Sequence, residues 1–267
     1  MKQPRRFQRS QARNSSNPPG LDREPAELIG MRLNKYIAHS GVASRRTAGD
    51  MVKAGKVKVN GEVLDNPAYQ IKEGDVVEYE GNVVAPSERF VYILLNKPRN
   101  VITTTNDEHD RTTVMDLLDE PGLKGLRLFP VGRLDRDTTG LLLITNDGDV
   151  TTRLTHPRYE TSKIYEATLD KPFSPDDLAQ MKAGYDLEDG PFLPDWVRYS
   201  KEDEPTKVTL QIHNGRNRIV RRAFEHFGYT VDKLDRTYLA GLTKKNLPRG
   251  FYRYLSEEEV RRLKYFR

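Results

Sequence analysis

The stretch that most constrains this chain is Val131-Gly132-Arg133-Leu134-Asp135-Arg136-Asp137-Thr138-Thr139-Gly140-Leu141-Leu142-Leu143-Ile144. Two acids, two arginines and two glycines stand directly before a wholly apolar run. Leu141–Ile144 is too short for a membrane helix, which needs roughly 20 residues, and reads as a buried strand. The turn before it must therefore present polar groups at a sheet end, where function tends to sit. A second run, Phe90–Leu95, reads as another buried strand.

Around these runs the pattern changes character twice. Residues 1–30 combine Gln, Ser, Asn and Pro18-Pro19-Gly20 with few large apolar side chains, so they read as a disordered basic tail. The tail has too little apolar surface for the amphipathic face of a transit peptide and no apolar core of a secretory signal. From Met31, Leu33, Tyr36 and Ile37 fall at helical spacing. Ser44 is placed to cap a second helix containing Met51 and Val52, with Gly55 to stop it. Val57 and Val59 alternate with lysines before Asn60-Gly61, a two-residue hairpin signal, and the Gly74-Asp75 turn leads to a strand over Val76–Tyr79. This predicts a helix–helix–hairpin module over 31–86.

Residues 87–267 form the second predicted domain. Short helices are expected around Val114–Leu118 and over Asp176–Ala183, and half-buried strands over Lys163–Leu169 and Lys207–His213. Val220, Ala223, Phe224 and Phe227 predict a helix over about Asn217–Phe227, ended by Gly228. Ser256 with Glu259 forms a capping-box pattern for a last helix. Strands outnumber helices without regular alternation, which predicts an α+β fold on a largely antiparallel, mixed sheet with flanking helices.

Charge is informative only by segment. The 267 residues carry a formal +5, and the five cations of residues 1–20 account for the whole excess. Within the rest, residues 31–58 hold Arg32, Lys35, Arg45, Arg46, Lys53, Lys56 and Lys58 against Asp50 alone. Residues 211–253 hold ten basic residues against three acidic ones, among them Arg216, Arg218, Arg221 and Arg222. Any one run reads equally as a solvated face; two in different domains read as a polyanion track. The chain has no cysteine, which excludes disulfides, thiol nucleophiles and thiolate metal sites. Its five histidines lack ligand spacing.

Three readings of the polar turn compete. Asp135-Arg136-Asp137-Thr138 has the acid-x-acid-Thr order of haloacid-dehalogenase-type phosphatases, although Gly132-Arg133 interrupt the strand that should precede it. Alternatively, the chain is a non-catalytic RNA-binding or ribosome-assembly factor and the turn is structural. In the third reading, one aspartate attacks a nucleoside held out of its helix.

Gly132-Arg133-Leu134-Asp135, followed by Thr138 and Gly140-Leu141-Leu142, resembles the signature of the bacterial ribosomal pseudouridine synthases, the RsuA family. Asn96-Lys97-Pro98, Lys163-Ile164-Tyr165 and Gly215–Arg222 resemble that family's other blocks in the same order. Residues 31–80 resemble the small RNA-binding module first described in a small-subunit ribosomal protein. The resemblance covers about residues 31–255 and implies catalytic Asp135, a base-stacking Tyr165, and Arg221 pairing with Asp135. It further implies that Arg133 sets the active-site loop and contacts RNA phosphate. Ile219 stands where many relatives have Gln, and Arg99-Asn100 where many have a Gly. Leu187–Pro191 and Leu247–Gly250 resemble the branch acting on large-subunit (23S) rRNA.

The chemistry asks for such residues. Making pseudouridine breaks C1′–N1, turns the uracil and rejoins it through C5, with no net redox change, so no nicotinamide, flavin or metal is required. A carboxylate beside an electron-deficient C1′ is needed, as in glycosidases. Asp137 is read as part of the turn's structure. Read alone, Tyr165 is equally a strand aromatic and Arg221 a solvated helix charge. The expectation is a cytoplasmic, monomeric rRNA pseudouridine synthase without membrane or small-molecule cofactor, RNA being held by the seven module cations and Arg133, Arg216, Arg218 and Arg222.

Overall fold

The computed structural model describes residues 20–22, 28–86, 89–123 and 125–265. They fall into two compact units, Ser16–Val91 with Glu120–Leu128, and Tyr92–Asp119 with Phe129–Arg267. In the smaller unit, β1 (Gly20–Asp22) pairs antiparallel with Arg89–Val91. The reading of 1–30 as wholly disordered is thus corrected for these three residues, which find main-chain partners at a strand edge, and for Leu28–Gly30, where Leu28 packs on the module's core and Gly30 N donates to Ile71 O at 2.8 Å. The tail's basic positions, Lys2 to Arg13, lie outside the described residues.

Helices α1 (Leu33–His39) and α2 (Arg45–Lys53) follow. Leu33, Ile37, Ala48 and Val52 are fully buried, as the spacing requires. Ser44 Oγ caps α2 by accepting from Thr47 N at 3.1 Å. A four-stranded sheet of β2 (Val57–Val59), β3 (Glu62–Val63), β4 (Val77–Tyr79) and β5 (Asn82–Val83) runs in the order β3-β2-β4-β5. Asn60 and Gly61 both have positive φ, 54° and 83°, the conformation of a type I′ hairpin turn.

The larger unit is organised by one sheet. Its strands are β6 (Arg89–Lys97), β7 (Phe129–Pro130), β8 (Thr139–Thr145), β9 (Lys163–Leu169), the separate hairpin β10 (Tyr185–Leu187) and β11 (Gly190–Phe192), β12 (Trp196–Tyr199), β13 (Lys207–Ile212), β14 (Val231–Leu239), β15 (Leu242–Thr243) and β16 (Tyr252–Tyr254). Helices α3 (Gly148–Thr155), α4 (Pro175–Ala183), α5 (Ile219–Glu225) and α6 (Glu257–Tyr265) flank it. The main order is β6-β8-β14-β9-β13-β12, with β14 parallel to β8 and the other pairs antiparallel. This is the mixed α+β sheet expected, and it corrects the phosphatase reading, which needs a parallel Rossmann-like setting. All seven residues of β8 are buried, so the Leu141–Ile144 run lies in the sheet's core. Gly140 has φ +108°, and a Cβ there would lie 2.3 Å from Arg236 O, so only glycine lets β14 approach.

Two helix expectations change. Val114–Leu118 forms turns, because the Asp116 carboxylate takes Thr113 N at 2.7 Å and five residues are too few to nucleate a helix. Helix α5 starts at Ile219, not Asn217, because Arg218 is left-handed with φ 46°. The Ser256–Glu259 capping box forms, with Ser256 N donating to Glu259 Oε2 at 2.9 Å and Glu259 N to Ser256 Oγ at 3.3 Å. No described helix is long and apolar enough to cross a membrane.

Candidate active site

Register between β6 and β8 brings Lys97 opposite Gly140, so the last residue of one strand meets the turn that opens the other. Lys97 is fully buried. Its Nζ donates to the carbonyls of Thr138 at 2.8 Å, Asp135 at 3.0 Å, Pro98 at 3.1 Å and Arg136 at 3.3 Å. Burial pushes this ammonium down to about 8, against the opposing pull of the Asp137 and Asp135 charges. Thr103 Oγ1 donates to Leu134 O at 2.8 Å, and Asn100 N donates to Arg136 O at 2.8 Å. Asn100 has φ 64°, a left-handed backbone that asparagine tolerates better than most residues. The turn is therefore gripped along its whole length.

Beside it opens a cleft of about 170 Å³. Gly132, Arg133, Leu134, Asp135 and Thr138 form one wall; Lys163, Tyr165, Leu234, Arg236 and Leu239 come from β9 and β14. Asn214, Gly215, Arg216 and Arg218 close it from the loop before α5, with Ile219 from the first position of that helix. Asp135 lines the cleft and Asp137 does not, which separates the two carboxylates the sequence left two residues apart. Tyr165 is buried, with its Oη 3.5 Å from Arg236 Nη1. Arg236 Nε donates to Leu141 O at 2.7 Å.

The expected Asp135–Arg221 pair is not formed. Arg221 is buried, its Nη2 lies 2.7 Å from Asp137 Oδ2, and its Nη1 donates to Val231 O at 2.5 Å. The cation nearest Asp135 is Arg218, with Nη1 3.6 Å from Oδ2. The physical reason is the left-handed residue before α5: it shortens the predicted helix and leaves Arg218 on the cleft side, while Arg221 turns inward to Asp137.

Of the RNA-binding candidates, Arg32, Arg45, Arg46, Lys53, Lys56 and Lys58 are exposed on the smaller unit, and Lys35 is half-buried. Arg133 is exposed at the cleft rim. Arg216 and Arg222 are half-buried and engage Asp189, at 2.9 and 2.8 Å. Sequence reasoning missed Lys163, Asn214 and Arg236 as cleft residues. Alternation along β9 could have found Lys163, which shares a face with Tyr165; the register that places Arg236 opposite Tyr165 left no local signal. Lys163 Nζ donates to Thr161 O and His213 O, each at 2.9 Å, and burial, with Arg236 nearby, pushes it down to about 8.

The family model described as RNA pseudouridylate synthase matches residues 91–226, and that of the S4 domain matches residues 31–77. The chain is 42% identical over 239 residues to the ribosomal large subunit pseudouridine synthase B of Bacillus subtilis, covering 87% of this chain and 95% of that protein. It is 36% identical to the dual-specificity RNA pseudouridine synthase RluF of Escherichia coli, covering 86% of this chain and 77% of that protein. A crystal structure of a pseudouridylate synthase superposes with a TM-score of 0.63 at 32% identity, over 87% of this chain and 99% of the other.

Proposed function

Because the chain belongs to the RNA pseudouridylate synthase family, we propose that it isomerises one or a few uridines of large-subunit (23S) ribosomal RNA, with Asp135 as the catalytic carboxylate. The observation that carries this reading is the cleft in which Asp135, and not Asp137, faces Tyr165 and Arg236. In the reaction the C1′–N1 bond breaks, the uracil turns, C1′ bonds to C5, the C5 hydrogen leaves as a proton and N1 gains one. Atoms and electrons balance within one nucleotide. Asp135 supports the electron-deficient C1′, either by adding to it or by taking a sugar proton.

Arg218 supplies the counter-charge at 3.6 Å. Tyr165 offers a ring to the splayed base, a stacking contact worth about 1–3 kcal/mol, and holds its hydroxyl toward Arg236. A-form duplex hides base edges, so the target is an unpaired or splayed nucleotide. The S4 domain supplies backbone contacts through Arg45, Arg46 and Lys53 on α2, and Arg32, Lys56 and Lys58 nearby. The large-subunit assignment rests on the name of the Bacillus relative. The reading makes this a cytoplasmic enzyme acting where ribosomes assemble.

Mapping pseudouridine by carbodiimide treatment of rRNA from a deletion strain tests the substrate. Loss of modification at large-subunit sites, restored by the wild-type gene, is expected. An unchanged map in both rRNAs, or a loss confined to the small subunit, would overturn the assignment.

A further inference from the structure

The hairpin of β10 and β11 lies off the main sheet, yet two of the cations nominated for RNA end on its tip. Arg216 Nη1 donates to Asp189 O at 2.8 Å, Asp189 Oδ1 at 2.9 Å and Gly190 O at 3.0 Å, and Nη2 donates to Pro191 O at 2.6 Å. Both of its terminal nitrogens thus bind the hairpin. Arg222 Nη2 donates to the other carboxylate oxygen, Asp189 Oδ2, at 2.8 Å, while its Nε donates to Asn217 O at 2.9 Å. One guanidinium therefore spans from the hairpin tip to the peptide that enters Arg218.

The other end of the hairpin is fixed as well. Tyr185 Oη donates to Ala223 O at 2.6 Å, and the Tyr185 ring stacks on His226 at 4.4 Å between centroids. The hairpin is a brace along α5, anchored at the helix's far end by Tyr185 and at its entry by Asp189. What it braces is a costly conformation: Arg218 sits at φ 46°, which a side chain other than Gly, Asn or Asp rarely adopts. Nothing in α5 itself caps that end, since no side chain accepts from its first amides.

We propose that Asp189 is a positioning residue for the cleft: through Arg222 and Arg216 it holds the 214–218 loop so that the left-handed Arg218 keeps its guanidinium beside Asp135. This rests on the reading of Asp135 as the catalytic carboxylate. It also reassigns Arg216 and Arg222 from phosphate contacts to structural ties of that loop.

Two conservative variants of the full chain test this. Asp189→Asn keeps shape but offers Arg222 an amide, and Arg222→Lys keeps the charge but cannot bridge Asp189 and Asn217 together. Hydrogen exchange of the 214–219 amides should quicken by about tenfold in both, without a change in the exchange of β8. With an rRNA fragment as substrate, kcat should fall by about tenfold or more, while KM and the salt dependence of RNA binding stay as in the wild type. Unchanged exchange overturns the brace. Quickened exchange with wild-type kcat overturns its role in positioning. Tighter RNA binding by Asp189→Asn with unaltered kcat would return Arg222 to the phosphate contacts. Wild-type turnover by a folded Asp135→Asn, with kcat still lowered in the Asp189 and Arg222 variants, would fault the reading of Asp135 and leave the positioning of the loop standing.

Discussion

At the scale of single residues, the chemistry rests on positions whose backbone or burial is unusual. Gly140 is the clearest. Its φ of +108° and the 2.3 Å approach of Arg236 O to a would-be Cβ tie a glycine in the signature string to the β8–β14 crossing beside the cleft. Gly140→Ala should destabilise the fold by about 3 kcal/mol or more, read as a lower denaturant midpoint; an unchanged midpoint would contradict the close approach. Composition and spacing marked the Gly132–Gly140 string as unusual, and its resemblance to a family signature, not periodicity, singled out Asp135 and Tyr165; composition and spacing alone leave Tyr165 a strand aromatic. They left Arg218 and Arg221 indistinguishable, because the partner of Asp135 depends on one left-handed residue that no helical periodicity announces. The amphipathic reading even placed Arg221 on a solvated face, whereas the structure buries it against Asp137 and Val231 O.

At the scale of elements, the active-site turn owes its shape to the end of a neighbouring strand. Lys97 closes β6 and gives its ammonium to four carbonyls, three of them in the 135–138 turn. Such a contact joins residues some forty positions apart, so the sequence showed the Asn96-Lys97-Pro98 block without showing its job. The pH dependence follows with a definite sign. Lys97 and Lys163 deprotonate near 8 in the folded chain, against about 10.4 when unfolded. The folded state binds fewer protons between those values, so the cost of burying these charges is present below pH 8 and is relieved as pH rises. Turnover should move the other way, falling above about pH 8 as the ammonium that ties the turn is lost, with circular dichroism unchanged. A rate flat to pH 9.5 would contradict this. Lys97→Met should lower kcat by about a hundredfold, measured under conditions where the variant remains folded.

At the scale of the molecule, the formal +5 says little until it is divided. The helices and first strands of the S4 module, and β6, β8, β9, β13, α4, α5 and α6 of the larger unit, were readable from alternation, helical spacing and turn chemistry, and the mixed sheet from the excess of strands; α3, β12, the β10–β11 hairpin and the central strand β14 were not read at all. Sheet order and the crossing of β8 with β14 were not readable either, since they pair residues nearly a hundred positions apart. Exposed cations on α2 belong to the S4 domain, and cations near α5 are partly consumed within the protein. Replacing Arg45 and Arg46 together by Glu should weaken RNA binding across sequences and flatten its log–log salt slope by about 2, with kcat on bound RNA retained; an unchanged slope would remove α2 from the RNA track. The central claim concerns which carboxylate makes the protein an isomerase. Release of tritium from rRNA carrying 5-tritiated uridine measures this directly, because C5 loses its hydrogen only when the uracil is rejoined through that carbon. Asp135→Asn should lower that release by about 10²–10⁴-fold or more, whereas Asp137→Asn should retain turnover and lose roughly 1–3 kcal/mol of stability. Wild-type release from Asp135→Asn, or its loss in a folded Asp137→Asn alone, would contradict the account.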